Sequence, residues 1–229
     1  MSLKEKVMDV LDQARKDGRR TLTEYESKII LKDYGIPVVR ERLVTDRAQC
    51  LTAIREIGFP LVMKGCAVDI PHKSELGLVM VDIRNEHEAE GSFEKIMKEM
   101  PVNSPAVLVQ AMVKGKRELV AGLTRDEQFG PAVMFGIGGI FTEILADTVF
   151  RLAPFDRKEA LRMIGDIRGR KILEAVRGMK AVNLDLMAHI LVKLSEIALE
   201  HPEIKEIDIN PLIISNGSPI AVDALIILH

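Results

Sequence analysis

His72 stands in the stretch VDIPHKSELGLV, between a proline and a lysine, just past an apolar run that ends at Cys66. A histidine that packs in a core belongs to a periodic apolar pattern, and this one does not. Lys73 and Glu75 put a cation and a carboxylate close by. Imidazole is the side chain whose ordinary titration crosses neutral pH, so the stretch is a candidate for chemistry rather than packing.

A second constellation lies at the C-terminal end, in EIKEIDINPLIISNGSPIAVDALIILH. Asn216-Gly217 between two apolar runs signals a two-residue hairpin turn, in which both central residues take positive φ. With Ser215 and Ser218 flanking the turn, Asn210 falls opposite Asp223, and Asp208 lies two residues away on the same face. The other face is predicted to collect Ile207, Ile209, Pro211, Ile213, Ile220, Val222, Ala224 and Ile226 as core. Two carboxylates and an amide at one spot suit a hard cation such as Mg²⁺, which takes one or two protein carboxylates and completes its shell with water and phosphate oxygens. The competing reading is a polar sheet face on which Asp223 hydrogen-bonds Asn210.

Lys64 interrupts the apolar run LVMKGC. A lysine in a buried strand is costly without an anionic partner, and a phosphate or a nearby glutamate would serve; at a strand end it would reach water instead. Gln110 to Val113, in VLVQAMVKGKRELV, is a strand end whose backbone groups suit an adenine edge. Glu118 beyond it suits ribose hydroxyls or an ion pair with Lys116 or Arg117. In FGIGGIFTE the spacing is Gly136-x-Gly138-Gly139, with Phe141 where a dinucleotide fingerprint needs its third glycine, so a Rossmann site is rejected. Gly138 and Gly139 still suit close backbone approach, to a phosphate or to another segment of chain. Glu143, Asp147 and Arg151 either line the same cavity or form a surface ion network.

The elements that must hold these residues follow from periodicity. Residues 4–16 read as a helix with Val7, Met8, Leu11 and Ala14 on one stripe, and a second helix starts at Thr23 in a T-x-x-E capping box with Glu26, ending at Gly35. VVRERLV, LVMKGC and LVMVDI read as strands alternating with helices over 46–57 and 86–99. Strands then cluster at AVLVQAMV, RELVAGLTRD, PAVMFGI and TVFRLAP, and helices cluster at 156–164, 169–177 and 183–200, the last capped by Asn183. The predicted class is α+β, in two lobes joined near residues 105–115.

Whole-chain properties bound the function. The 229 residues are 47% hydrophobic and 29% charged, with 34 acidic against 32 basic side chains and a net charge of -2. That balance argues against nucleic acid or an anionic membrane as partner, and 4% aromatic residues without tryptophan weaken base stacking. No apolar run reaches membrane-spanning length, the charged first residues lack a signal-peptide pattern, and Cys50 and Cys66 form no CxxC pair. A cytoplasmic enzyme or binding protein is expected.

Four motifs in order, TLTEYESKIILKDYGIPV, GFPLVMKGCAVDIPHKSELGLV, FGIGGIFTEILADTVFRLAP, and EIDINPLII with AVDALIIL, resemble the β subunit of ADP-forming acetyl-CoA synthetases. These are ATP-grasp proteins akin to the β chain of succinyl-CoA synthetase. The resemblance runs from about Thr21 to Leu228 and rests most on PHKSE and EIDINPL. It implies an ATP-grasp fold of two α+β lobes with nucleotide bound between them: a helical extension over 1–20, a first lobe over 21–110 carrying the His72 loop, and a second over 111–229 carrying the metal site. The implied reaction is acyl-CoA + ADP + phosphate ⇌ acid + CoA + ATP.

The resemblance also implies roles. Lys64 matches a lysine on nucleotide phosphates, Gln110 and Val113 the adenine hinge, Glu118 the ribose acid, and Asn210 and Asp223 the Mg²⁺ ligands, with Asp208 an adjacent candidate. His72 matches a histidine that carries a phosphoryl group between the nucleotide and a separate α subunit, which has the CoA-binding domain and its own phosphorylatable histidine; an α2β2 assembly is implied. Glu75 orienting the ring, and Lys73 or Arg151 offsetting phosphoryl charge, complete that picture. One departure is Leu78, where a second glycine is expected after Gly77. Two other readings compete: a different ATP-grasp carboxylate ligase with no use for His72, and a non-catalytic nucleotide-binding subunit.

Overall fold

A computed structural model of the chain describes residues 3–68, 76–101, 105–139, 147–176 and 178–229, with side chains from residue 6 onward. The chain forms two compact units. The smaller contains Thr23–Tyr25 and Val39–Met112; the larger contains Met1–Leu22, Glu26–Val38 and Val113–His229. The grouping differs from the predicted lobes, because most of the first 38 residues join the C-terminal half. The cause is apolar burial: Val7, Leu11, Ala14, Ile30 and Leu31 sit in one core cluster with Leu119, Phe135, Leu191 and Ile207.

The smaller unit is an antiparallel sheet in the order β1-β4-β2-β3, made of Glu41–Val44 (β1), Leu61–Gly65 (β2), Val79–Ile83 (β3) and Val107–Ala111 (β4). Two helices cover one face, α3 (Arg47–Ile57) and α4 (Glu86–Glu99). Each starts on a side-chain cap: Asp46 accepts from the Gln49 amide at 2.8 Å, and Asn85 from the Glu88 amide at 2.9 Å. Leu78, the departure from the double glycine, is fully buried in this core after Gly77 turns the chain at φ 68°.

The larger unit is built on a six-stranded antiparallel sheet. Its path runs β10-β8-β5-β6-β7 through Leu225–Leu228, Ile204–Ser215, Glu118–Asp126, Gly130–Ile137 and Thr148–Leu152, with β9 (Ser218–Ala221) also paired to β8. Helices α1 (Leu3–Lys16), α2 (Glu24–Asp33), α5 (Arg157–Asp166) and α6 (Leu184–Glu200) supply the rest of the core. Asn183 caps α6 as predicted, accepting from the Leu186 amide at 3.0 Å. Met8 departs from the predicted stripe and is 47% exposed.

The predicted helix over 169–177 is only a four-residue 3₁₀ turn, Arg170–Leu173. The buried Arg117 guanidinium explains the interruption. It donates to the carbonyls of Ile172 at 2.9 Å, Glu174 at 3.1 Å and Lys180, drawing the segment onto itself instead of into successive helical turns.

Candidate nucleotide and metal site

The hairpin register holds. Ser215 pairs Ser218 and Leu212 pairs Ala221, with Asn216 at φ 52° and Gly217 at φ 92°. Pairing then stops over 222–224 and resumes as Leu225 with Asp208 and Ile226 with Ile207, in the same frame. Asn210 and Asp223 thus lie opposite each other in a gap of the ladder.

The predicted core face is half right. Ile207, Ile209, Ala224 and Ile226 are buried, but beyond the gap the buried residues are Leu212, Ile214, Pro219 and Ala221, not Pro211, Ile213, Ile220 and Val222. A one-residue register shift on β5 between Leu119 and Ala121 faces this gap, and Pro211 brings no N–H to the ladder there. The shift exchanges inward and outward sides on β8. It also frees Asn210 and Asp223 from strand pairing, so that their side chains are placed by the gap rather than by the pleat.

Asp208 lies on the sheet face away from the helices, paired with Gly122 and Leu225. Its carboxyl is held above the ordinary carboxylate value, first by burial and then by the charges of Glu206 and Asp223. A cation would relieve all three. Asp223 accepts from the Ala224 amide at 2.8 Å, which fixes one oxygen. Lys28, fully buried on α2, donates to the Val222 carbonyl at 3.4 Å and holds the gap from behind. Among the described residues no three His, Cys, Asp or Glu side chains are grouped to cage a metal. Two carboxylates with an amide are the donor set of a cation that keeps much of its shell for water or phosphate, as Mg²⁺ does.

Glu118 faces the same side of the sheet as Asp208, four residues along β5, or about 13 Å of strand. Gly138 and Gly139 meet it. The Gly138 amide donates to the Glu118 carbonyl at 2.8 Å, and a Cβ on Gly139, at φ 71°, would lie 2.8 Å from Glu118 Oε2. The close approach these glycines permit is to their own chain. Of the two approaches open to these glycines in the sequence, the structure displays the one to another segment of chain.

Arg151 and Asp147 are both engaged within the larger unit. The Arg151 guanidinium donates to Glu159 at 2.7 Å and pairs with Asp166, both on α5, which is the ion network that formed one of its two readings. Asp147 accepts from the amides of Arg168 at 2.8 Å and Gly169 at 2.7 Å, tying β7 to the loop after α5.

In the smaller unit the face away from α3 and α4 carries Lys64, Gln110 and Glu41. Lys64 Nζ donates to Glu24 Oε1 at 2.7 Å. Gln110 Nε2 donates to the same Glu24 oxygen and to Glu41 Oε2, each at 2.9 Å. Lys64, Gln110 and Glu24 are 8, 2 and 4% exposed. Of the partners open to Lys64 in the sequence, the structure supplies the glutamate. Sequence reasoning missed Glu24 because an acid in a first helical turn reads as an ordinary complement to the helix dipole. The backbone of Gln110 pairs with both neighbouring strands, whereas Val113, half-buried, lies past the end of β4. His72, Lys73, Glu75 and Glu143 lie outside the described residues.

Two units, each an antiparallel sheet packed with helices and carrying charged or polar side chains, define an α+β class, and comparison with known proteins agrees. The ATP-grasp domain matches residues 13–228, and the chain belongs to that family. It is 45% identical to the acetate–CoA ligase [ADP-forming] I subunit beta of Pyrococcus furiosus, over 97% of this chain and 98% of that one. It is 38% identical to 4-hydroxybutyrate–CoA ligase [ADP-forming] of Nitrosopumilus maritimus, over 92% of this chain but 31% of that longer one. Among solved structures, the acetyl-coenzyme A synthetase 1 of Ca. Korarchaeum cryptofilum with coenzyme A and Mg-AMPPCP, its phosphohistidine segment pointing towards the nucleotide-binding site, superposes with a TM-score of 0.87. That match has 38% identity and covers 97% of this chain and all of that one. No helix among the described residues is long and apolar enough to cross a membrane.

Proposed function

We propose that the chain is the nucleotide-binding β subunit of an ADP-forming acyl-CoA synthetase, with acyl-CoA + ADP + phosphate ⇌ acid + CoA + ATP as its reaction. The observation that carries this reading is the near end-to-end match to the Pyrococcus furiosus subunit. The Asp208–Asn210–Asp223 gap supports it as a site for nucleotide-bound Mg²⁺. When bound there, the ion neutralises phosphate oxygens. Lys64 meets phosphate, Glu118 ribose, and the backbone at Val113 adenine.

His72 accepts the phosphoryl group. In the direction of ATP breakdown a ring nitrogen forms a bond to the terminal phosphorus while the bond to the bridging oxygen breaks, and ADP leaves with that electron pair. The group then passes to a histidine on an α subunit, where the acid and CoA bind, in an α2β2 assembly. The longer Nitrosopumilus relative, of which this chain spans a third, supports a module completed by other segments. The acyl group is read on that other part, so the two relatives act on different acids.

The test is reconstitution. The chain with its α partner, acetyl-CoA, ADP, phosphate and Mg²⁺ should form ATP and free CoA in equal amounts, and neither subunit alone should do so. ATP turnover that requires an amine acceptor and ignores CoA would point to another ATP-grasp ligase.

A further inference from the structure

Lys64 is held before any phosphate reaches it, and the group that holds it has no part in the scheme above. Glu24 Oε1 takes two donors at once, the Lys64 ammonium from β2 at 2.7 Å and the Gln110 amide from β4 at 2.9 Å. Gln110 has two amide hydrogens and directs one to Glu24 and one to Glu41, so the amide fixes the carboxylate that fixes the ammonium. All of this lies on the sheet face opposite α3 and α4, outside the apolar cluster of the smaller unit. A buried ion pair adds little stability over apolar packing of the same volume, so its main effect is to set where the charge sits. An ammonium carries three N–H donors, and a bond to Glu24 is compatible with another to a phosphate oxygen. Protein kinases use the same device, a strand lysine held by a helix glutamate so that it meets the nucleotide phosphates.

We propose that Glu24 is a positioning residue that sets the Lys64 ammonium for the phosphates of the bound nucleotide, with Gln110 fixing Glu24 in turn. The proposal rests on the reading of Lys64 as a phosphate contact. It assigns Glu24 no contact with the reacting atoms. A lysine released from Glu24 keeps its charge but loses its preset direction, so phosphate recognition weakens while the rest of the nucleotide site is unaffected.

Calorimetric titration of the full chain with Mg·ADP and with adenosine tests this, using wild type, Glu24→Gln, Lys64→Met and the double variant. Glutamine keeps the shape of Glu24 and an oxygen for Gln110, and adenosine binding reports whether the fold is kept. Glu24→Gln and Lys64→Met should each weaken Mg·ADP binding about tenfold or more, since one charge-assisted contact is worth about that factor. Adenosine binding should stay within about twofold, and the double variant should bind Mg·ADP no more weakly than Lys64→Met alone. Wild-type Mg·ADP affinity in Glu24→Gln, with Lys64→Met weakened, would overturn the proposal and leave the Lys64 reading standing. Unchanged affinity in Lys64→Met would remove the Lys64 reading and the proposal with it. Equal losses for Mg·ADP and adenosine in Glu24→Gln would show that Glu24 only supports the fold, and would also overturn the proposal.

Discussion

A carboxyl whose neighbours already repel its charge takes up a cation and gives up its proton together. Asp208 is in that position, half-buried near Glu206 and Asp223 and held above the ordinary carboxylate range. The native chain therefore keeps this proton longer than the unfolded chain, whose carboxyl titrates near pH 4. Without metal, the stability Asp208 takes from staying protonated is complete below that pH and is lost as pH rises through the raised native value. Mg²⁺ acts against this, so affinity for Mg·ADP should climb over the same interval. Asp208→Asn should consequently shift two measurements in opposite directions. Metal-free thermal stability at neutral pH should rise, while Mg·ADP affinity should fall about tenfold or more, the loss of one charged ligand. A variant that lost stability without metal would contradict the repulsion, and one with unchanged Mg·ADP affinity would contradict the metal site. At this scale the sequence disclosed more than it could decide. Asp208, Asn210 and Asp223 were legible because a two-residue turn fixes the count between opposed strands. Lys64 was legible as a charge needing a partner. Which partner it takes depends on Glu24, 40 residues away, and no local pattern encodes that distance.

Turns and caps dictate where elements start, and their strength is local. Removing the Asn183 cap with Asn183→Ala should cost about 1 kcal/mol and lower the melting temperature by about 2–4 °C, with Mg·ADP affinity unchanged. Arg117 acts over a longer range. Arg117→Met should cost about 2–4 kcal/mol by leaving the carbonyls of Ile172 and Glu174 without their buried donor, measurable in urea. Losses of equal size in the two variants would contradict the role given to Arg117. The same contrast explains what was legible. Asn183 and Asn216-Gly217 announce themselves by residue type next to a periodic run. Arg117 sits 55 positions before Ile172 and shows no sign that it will stop a helix there. The exchange of buried sides on β8 was hidden for a related reason. Alternation was read as unbroken from Ile207 to Ile213, whereas the shift that reverses it is decided by pairing with β5.

For the molecule as a whole, the apolar pattern predicted two α+β bodies and placed the later boundary within a few residues of Met112/Val113. The resemblance set residues 1–20 apart as an extension and counted α2 with the first lobe, whereas α1 and most of α2 group with the larger unit, because a helical stripe says that one face is buried and not which sheet buries it. Val7, Leu11 and Ile30 could serve either core by composition, and bridges such as Thr21 to Ile227 and Val38 to Ala221 join them to the C-terminal one. On the proposed reading, function at this scale depends on completion by another part. The chain with Mg²⁺ should exchange label between ATP and ADP only as far as His72 allows, and CoA-dependent turnover should await the α subunit.

The most direct test incubates the chain and its α partner with Mg²⁺ and ATP labelled in the terminal phosphate, then digests and maps the protein. Label should appear on the β chain, survive alkali, disappear in acid, map to His72 and be absent from His72→Asn. A wild-type chain that binds Mg·ATP in the presence of its partner yet stays unlabelled at His72 would contradict the phosphoryl relay.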